Sequence, residues 1–140
     1  TLIIRTSWVY SEYGKNFVKT MLKLMAEKES ISVVNDQLGS PTYAADLARV
    51  ILEIIHSGKW EPGIYHYSND GVISWFEFAE EIARATGNSC KVNPSPTSAY
   101  PTPAKRPGWS VLDHQKIKEV YAISSRPWKE SLHDCLASLK

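Results

Sequence analysis

Val34-Asn35-Asp36-Gln37-Leu38-Gly39-Ser40-Pro41-Thr42-Tyr43-Ala44-Ala45-Asp46-Leu47 passes from an apolar strand, through a polar turn, into a helix start with almost no spare residue. Asp36, Gln37, Ser40 and Thr42 supply hydrogen-bond donors and acceptors, while Gly39 and Pro41 set the backbone. Polar groups on a rigid loop between two regular elements commonly build a ligand-binding edge. The same chemistry also fits a well-made turn leading into a capped helix, and the stretch alone leaves both readings open.

Upstream of it, Leu2 to Arg5 reads as a short strand and Thr6 to Tyr10 as a strand end or loop. A polar stretch, Ser11 to Asn16, precedes a segment from Phe17 to Lys28 with Phe17, Met21, Leu24 and Met25 opposite Lys19, Lys23 and Lys28. That spacing predicts an amphipathic helix, followed by a strand over Ile31 to Val34. Downstream, Thr42 is the candidate N-cap of a helix whose Leu47, Val50, Ile51, Ile54 and Ile55 share one face; this is expected to be the clearest core helix. Gly63 opens a strand, Ile64 to Ser68, and Asn69-Asp70-Gly71 forms a turn. Ser74-Trp75-Phe76-Glu77 has the capping-box pattern, with Gly87 placed to end that helix. A short strand is expected at Lys91 to Asn93. From Asn93 to Pro107 the prolines at 94, 96, 101, 103 and 107 predict a long loop without helix or central strand. Asp113 suits the cap of a short helix carrying Ile117 and Val120. Pro127 suits the first turn of a last helix with Trp128, Leu132, Cys135, Leu136 and Leu139 inward. Alternating strands and helices predict an α/β architecture, a substrate-binding lobe with mixed strand directions.

A chain of 140 residues, 43% apolar and 22% charged, can form a core and fits one domain or a piece of a larger protein. A net charge of +1 without charge blocks does not predict a nucleic-acid partner. Cys90 and Cys135 are far apart, with no C-x-x-C and no nearby histidine pair, so two free thiols are expected, not a zinc site. No apolar run approaches the roughly 20 residues of a membrane span, and a cytoplasmic setting is expected. Opening in mid-strand at Leu2-Ile3-Ile4 predicts a C-terminal piece of a larger protein.

Searching for chemistry yields absences. There is no G-x-G-x-x-G, no P-loop, no Tyr-x-x-x-Lys and no G-x-S-x-G, and the histidines lack metal-ligand spacing. His66 reads as a structural or rim residue in a strand, His56 and His133 as solvated, and Glu80 and Glu81 as a wet helix face. No catalytic residues and no metal ligands are therefore expected here. Binding candidates remain. Trp8 can stack on a sugar or fill the core. Asn16 can direct helix N–H groups at an anion or simply cap the helix. Arg106, after Lys105, can hold a phosphate or decorate the surface.

Arg5-Thr6-Ser7-Trp8-Val9-Tyr10, Gly14-Lys15-Asn16-Phe17, Asp36-Gln37-x-Gly39-Ser40-Pro41-Thr42, Gly63-Ile64-Tyr65-His66 and Arg106-Pro107-x-x-Ser110 together resemble the dTDP-4-dehydrorhamnose reductases, a branch of the extended short-chain dehydrogenases. The motifs occur in that family's order and cover nearly the whole chain. The resemblance implies a C-terminal fragment of a Rossmann-type enzyme. Residues 1–140 would form a single substrate-binding region, and the dinucleotide-binding domain with its catalytic Tyr and Lys would lie upstream. It implies NADPH (or NADH) as cofactor of the full-length enzyme and a dTDP-sugar as substrate, reduced at C4 to dTDP-L-rhamnose. It further implies Trp8 beside the deoxysugar, Ser7 approaching the nicotinamide, and Asn16, Gln37 and Arg106 near the nucleotide or diphosphate. The partners would be the protein's own N-terminal domain and a second copy in a homodimer. One departure is Ser11, where the family usually has Gly, so the turn there is expected to be rearranged. A regulatory paralogue without the chemistry, or a sugar-nucleotide epimerase, are the competing readings.

Overall fold

In the computed structural model, which describes residues 1–139, the strands associate in pairs. β1 (Leu2–Arg5) runs parallel to β6 (Gly63–His66), β2 (Val9–Tyr10) to β5 (Thr42–Tyr43), and β3 (Ser30–Val34) to β8 (Lys91–Ser95). β4 (Leu38–Gly39) and β7 (Ile73–Ser74) are antiparallel. Parallel partners need crossovers, and these contain the helices α1 (Phe17–Glu27), α2 (Ala44–His56) and α3 (Trp75–Thr86). Two further helices, α4 (Gln115–Tyr121) and α5 (Trp128–Ser138), follow the proline-rich segment. The mixed-direction α/β arrangement is the one expected.

The apolar side chains form two clusters. The larger joins α1, α3, α5 and the β3–β8 pair around Val18, Met21, Phe78, Ile82 and Leu132. The smaller joins α2, β6 and α4 around Val50, Ile54, Tyr65 and Ile117. The Ser74 capping box is complete: Ser74 Oγ accepts from Glu77 N and Glu77 accepts from Ser74 N, and Gly87 ends α3 at φ +63°.

Several local expectations are corrected. α2 is not a uniformly buried core helix: Ile51 and Ile55 are 41% and 58% exposed, because only the Val50–Ile54 stripe meets β6 and α4. Thr42 does not cap it. Its hydroxyl donates to Ser7 O at 2.6 Å, and Tyr43 occupies the cap position without a side-chain bond. β8 continues through Pro94 to Ser95, which a proline tolerates because β8 pairs on one side only. Glu81 is not a wet carboxylate: it is 5% exposed and bound by Arg84 and by His133 at 2.9 Å. Hydrogen bonding from Arg84 is the largest influence holding its carboxyl down, to about 2. Leu139, expected inward, is 36% exposed.

The parts are joined at Asp46, in the first turn of α2 and 3% exposed. Its Oδ2 accepts from Asn69 Nδ2 at 2.8 Å and from Ser131 Oγ, and its Oδ1 accepts from Arg126 Nη1 at 3.0 Å. Asn69 Oδ1 in turn accepts from Tyr43 N at 2.8 Å. Burial alone would raise the Asp46 carboxyl, but the bonds from Ser131, Asn69 and Arg126 outweigh it and hold the group below its ordinary range.

Asn69→Ala should cost about 2 to 4 kcal/mol in urea unfolding, since it removes one of the three donors to a buried carboxylate and leaves the buried Tyr43 N–H unpaired. Because the folded carboxyl titrates below the unfolded value of 3.8, its contribution is complete above that value and disappears as pH falls through the folded one. The urea midpoint should therefore drop on acidification below that value, and less steeply in Asp46→Asn.

Candidate functional site

A cavity of about 660 Å³ opens beside the larger cluster, with an aromatic wall of Trp8, Phe17 and Trp75 and a polar side of Gln37, Arg106 and Ser110. The wall begins with a backbone exception. Trp8 has φ +49°, one of two non-glycine residues in the left-handed region among those described. The turn around it is held by Ser7 Oγ donating to Ser40 O at 2.8 Å and by Thr42 N donating to Trp8 O at 3.1 Å. These bonds offset the local strain.

The Trp8 ring stacks on Trp75 with centroids 3.6 Å apart and planes 15° apart, and Phe17 packs against Trp75 at 4.7 Å. One face of Trp8 is therefore covered, so the sugar platform and the core residue are joint roles of one side chain. Gly39 is required by this arrangement. A Cβ there would lie 2.6 Å from Trp8 Cζ2 and 2.7 Å from Ser110 Oγ. Trp75 was not identified from the sequence, which marks it only as the first residue after a helix cap.

The opening loop also supplies the polar side. Gln37 Nε2 donates to Thr97 Oγ1 at 3.1 Å, and Asp36 accepts from Thr97 N at 3.0 Å. The Thr97 hydroxyl and N–H together hold the Asp36 carboxyl below its usual range. Leu38 N donates to Gly108 O at 2.9 Å and Ser110 N to Leu38 O at 2.8 Å. Residues 36–38 thus grip both ends of the proline-rich segment, whose exposed Arg106 borders the cavity.

Trp8, Gln37 and Arg106 are thereby brought to one cavity. Asn16 and Ser7 are not among its lining residues. Asn16 is the α1 cap, accepting from Lys19 N and donating through Nδ2 to Ser11 O at 2.7 Å. Ser11 does not take a left-handed backbone; Gly14 does, at φ +69°, so a serine is accommodated in that turn. Burial pushes the Cys135 thiol up to about 11 and, as the largest cause, also raises the Tyr10 phenol. Both groups stay protonated near neutrality. Among the described residues no three His, Cys, Asp or Glu side chains converge on a metal position, and no helix is long and apolar enough to cross a membrane.

Comparison with known proteins gives a consistent result. The family model "RmlD substrate binding domain" matches residues 1–140. The chain is 46% identical over 134 residues to the spore coat polysaccharide biosynthesis protein SpsK of Bacillus subtilis, covering 96% of this chain and 46% of that protein. It is 40% identical over 147 residues to the dTDP-4-dehydrorhamnose reductase of Aggregatibacter actinomycetemcomitans, covering 98% of this chain and 50% of that protein. The dTDP-4-dehydrorhamnose reductase of Bacillus anthracis, solved with NADP, superposes with a TM-score of 0.92 at 42% identity, over 99% of this chain and 48% of that one. The chain spans about half the length of the relatives it matches.

Gly39→Ala should force the Trp8 indole off Trp75. The expected outcome is a reduced near-UV circular dichroism signal and a stability loss of about 1 to 3 kcal/mol. Trp75→Leu should remove the same spectral feature.

Proposed function

The chain belongs to the RmlD substrate binding domain family, and on that premise we propose that it holds the sugar nucleotide in an NADPH-dependent reductase converting dTDP-4-dehydro-L-rhamnose to dTDP-L-rhamnose. The observation that supports this reading is the single cavity uniting a Trp8–Trp75 wall, the Gln37 amide and the Arg106 guanidinium. An aromatic wall suits a deoxysugar ring, whose C–H faces are apolar, and a guanidinium suits a diphosphate through paired N–H donors. In this reading Trp8 lies beside the sugar, and Gln37 and Arg106 bind the nucleotide. Asn16 contributes by holding the Ser11–Asn16 loop.

NADPH would supply a hydride to the C4 carbonyl carbon, and a proton from the N-terminal half would complete the alcohol. Ser7 fits the nicotinamide side only as an acceptor, because its hydroxyl hydrogen is directed at Ser40 O. The chain's part is to orient the ketone and exclude water, which favours reaction by proximity. The exposed Ile3–Ile64 pair of the β1–β6 sheet is an apolar face that the N-terminal half can cover, and the outer side of α2, with Ile51, Leu52 and Ile55, suits a second copy. By itself the chain should bind dTDP-sugars weakly and turn nothing over, since a cleft shared by two domains loses half its contacts.

Loss of NADPH absorbance on adding dTDP-4-dehydro-L-rhamnose to the intact protein checks the proposal, and no oxidation by the intact protein would refute it. Arg106→Gln should raise KM about tenfold with little change in kcat, as expected for loss of one charge-assisted contact. Trp8→Ala should lower kcat/KM by about tenfold or more through misplacement of the sugar. The 140-residue chain alone should oxidise no NADPH.

A further inference from the structure

Thr97 stands against two consecutive residues of the opening loop, and its single hydroxyl hydrogen decides how both are used. Asp36 accepts from Thr97 N through both carboxylate oxygens at 3.0 Å, and from Thr97 Oγ1 as well. An ionised carboxylate has no hydrogen to give, so the hydroxyl must be the donor to it. Gln37 approaches the same hydroxyl oxygen at 3.1 Å. With the hydrogen directed at Asp36, that oxygen can only accept, so the amide must present its NH2 group. Gln37 Oε1 is then the end left over. It bonds to no described residue and is not among the buried unpartnered atoms, while Gln37 lines the cavity with Trp8 and Arg106.

We propose that Asp36 and Thr97 are positioning residues that fix Gln37 with its carbonyl oxygen toward the cavity, so that the site selects a ligand group donating a hydrogen bond: a pyrimidine imide N–H or a sugar hydroxyl. The inference rests on the sugar-nucleotide reading of the cavity. Without the relay the Gln37 amide can turn over and offer NH2 instead, and the preference for a donor is lost. Exposure of Asp36 makes it a mild site to change. Its lowered carboxyl keeps the relay in force at neutral pH.

The test is equilibrium binding of dTDP, N3-methyl-dTDP and dTDP-L-rhamnose to the intact protein, followed by calorimetry. Thr97→Val keeps the backbone N–H but removes the hydroxyl, and should weaken binding roughly three- to tenfold, the size of one neutral hydrogen bond. Asp36→Ala should do the same, Thr97→Ser should restore wild-type affinity, and Gln37→Ala combined with Thr97→Val should lose no more than Gln37→Ala alone. If the donor is the base, dTDP binding falls in the variants while N3-methyl-dTDP is insensitive. If it is a hydroxyl of the rhamnose ring, dTDP is insensitive and dTDP-L-rhamnose binding falls; if it is the deoxyribose 3′-hydroxyl, binding of all three ligands falls alike. Each of these patterns supports the relay. Unchanged affinities for all ligands in Thr97→Val and Asp36→Ala, or additive losses in the double variant, overturn it while leaving the reductase reading intact. Failure of the wild-type protein to bind any of the three overturns both.

Discussion

A carboxylate almost out of reach of water must be satisfied by neighbours, and at Asp46 those neighbours come from two distant parts of the chain. Ser131 belongs to α5, Arg126 to the approach to that helix, and Asn69 to the turn after β6. A buried charge deprived of a partner is far more costly than one never buried, so the start of α2, the Asn69 turn and the segment from Arg126 to Ser131 cannot separate independently. Asn69 passes the constraint on to Tyr43 N, Tyr43 lies in β5, and β5 pairs with β2 next to Trp8. The left-handed Trp8 is thus held at the end of a chain of bonds that starts in the interior.

That constraint explains why a loop residue can serve as a rigid wall. Trp8 is clamped by the Ser40–Thr42 segment on the backbone side and by Trp75 and Gly39 on the ring side. Opposite it, residues 36–38 hold both ends of a proline-rich segment that has no regular structure between Tyr100 and Trp109. Prolines reduce the freedom such a segment has to lose, so a few anchoring bonds suffice to keep Arg106 at the cavity.

Much of the fold was legible locally. The capping box at Ser74, the left-handed Gly87 and the amphipathic α1 need only neighbouring residues, and they form as read. The errors occur where distant residues compete for a group. Thr42 has the chemistry of a cap, but Ser7 O claims its hydroxyl. Glu81 looks solvated by sequence spacing, but His133 and Arg84 enclose it. The apolar stripe of α2 is real, yet how much of it is buried depends on the number of elements that pack there.

The sequence by itself determined the five helices and the longer strands β1, β3, β6 and β8 in their order, the absence of recognisable catalytic motifs within these residues, and, through five ordered motifs, the family, but not the two-residue strands β4, β5 and β7. Those features depend on local propensity and on residue identity, which a linear string records. Tertiary structure alone decided that Trp75 shares the wall with Trp8, that Asn16 caps and lies outside the cavity lining, and that Thr97 governs Gln37. Each of these pairs residues far apart in the chain. Which partner a polar or aromatic group takes is fixed only when folding brings competing partners within hydrogen-bonding or van der Waals distance.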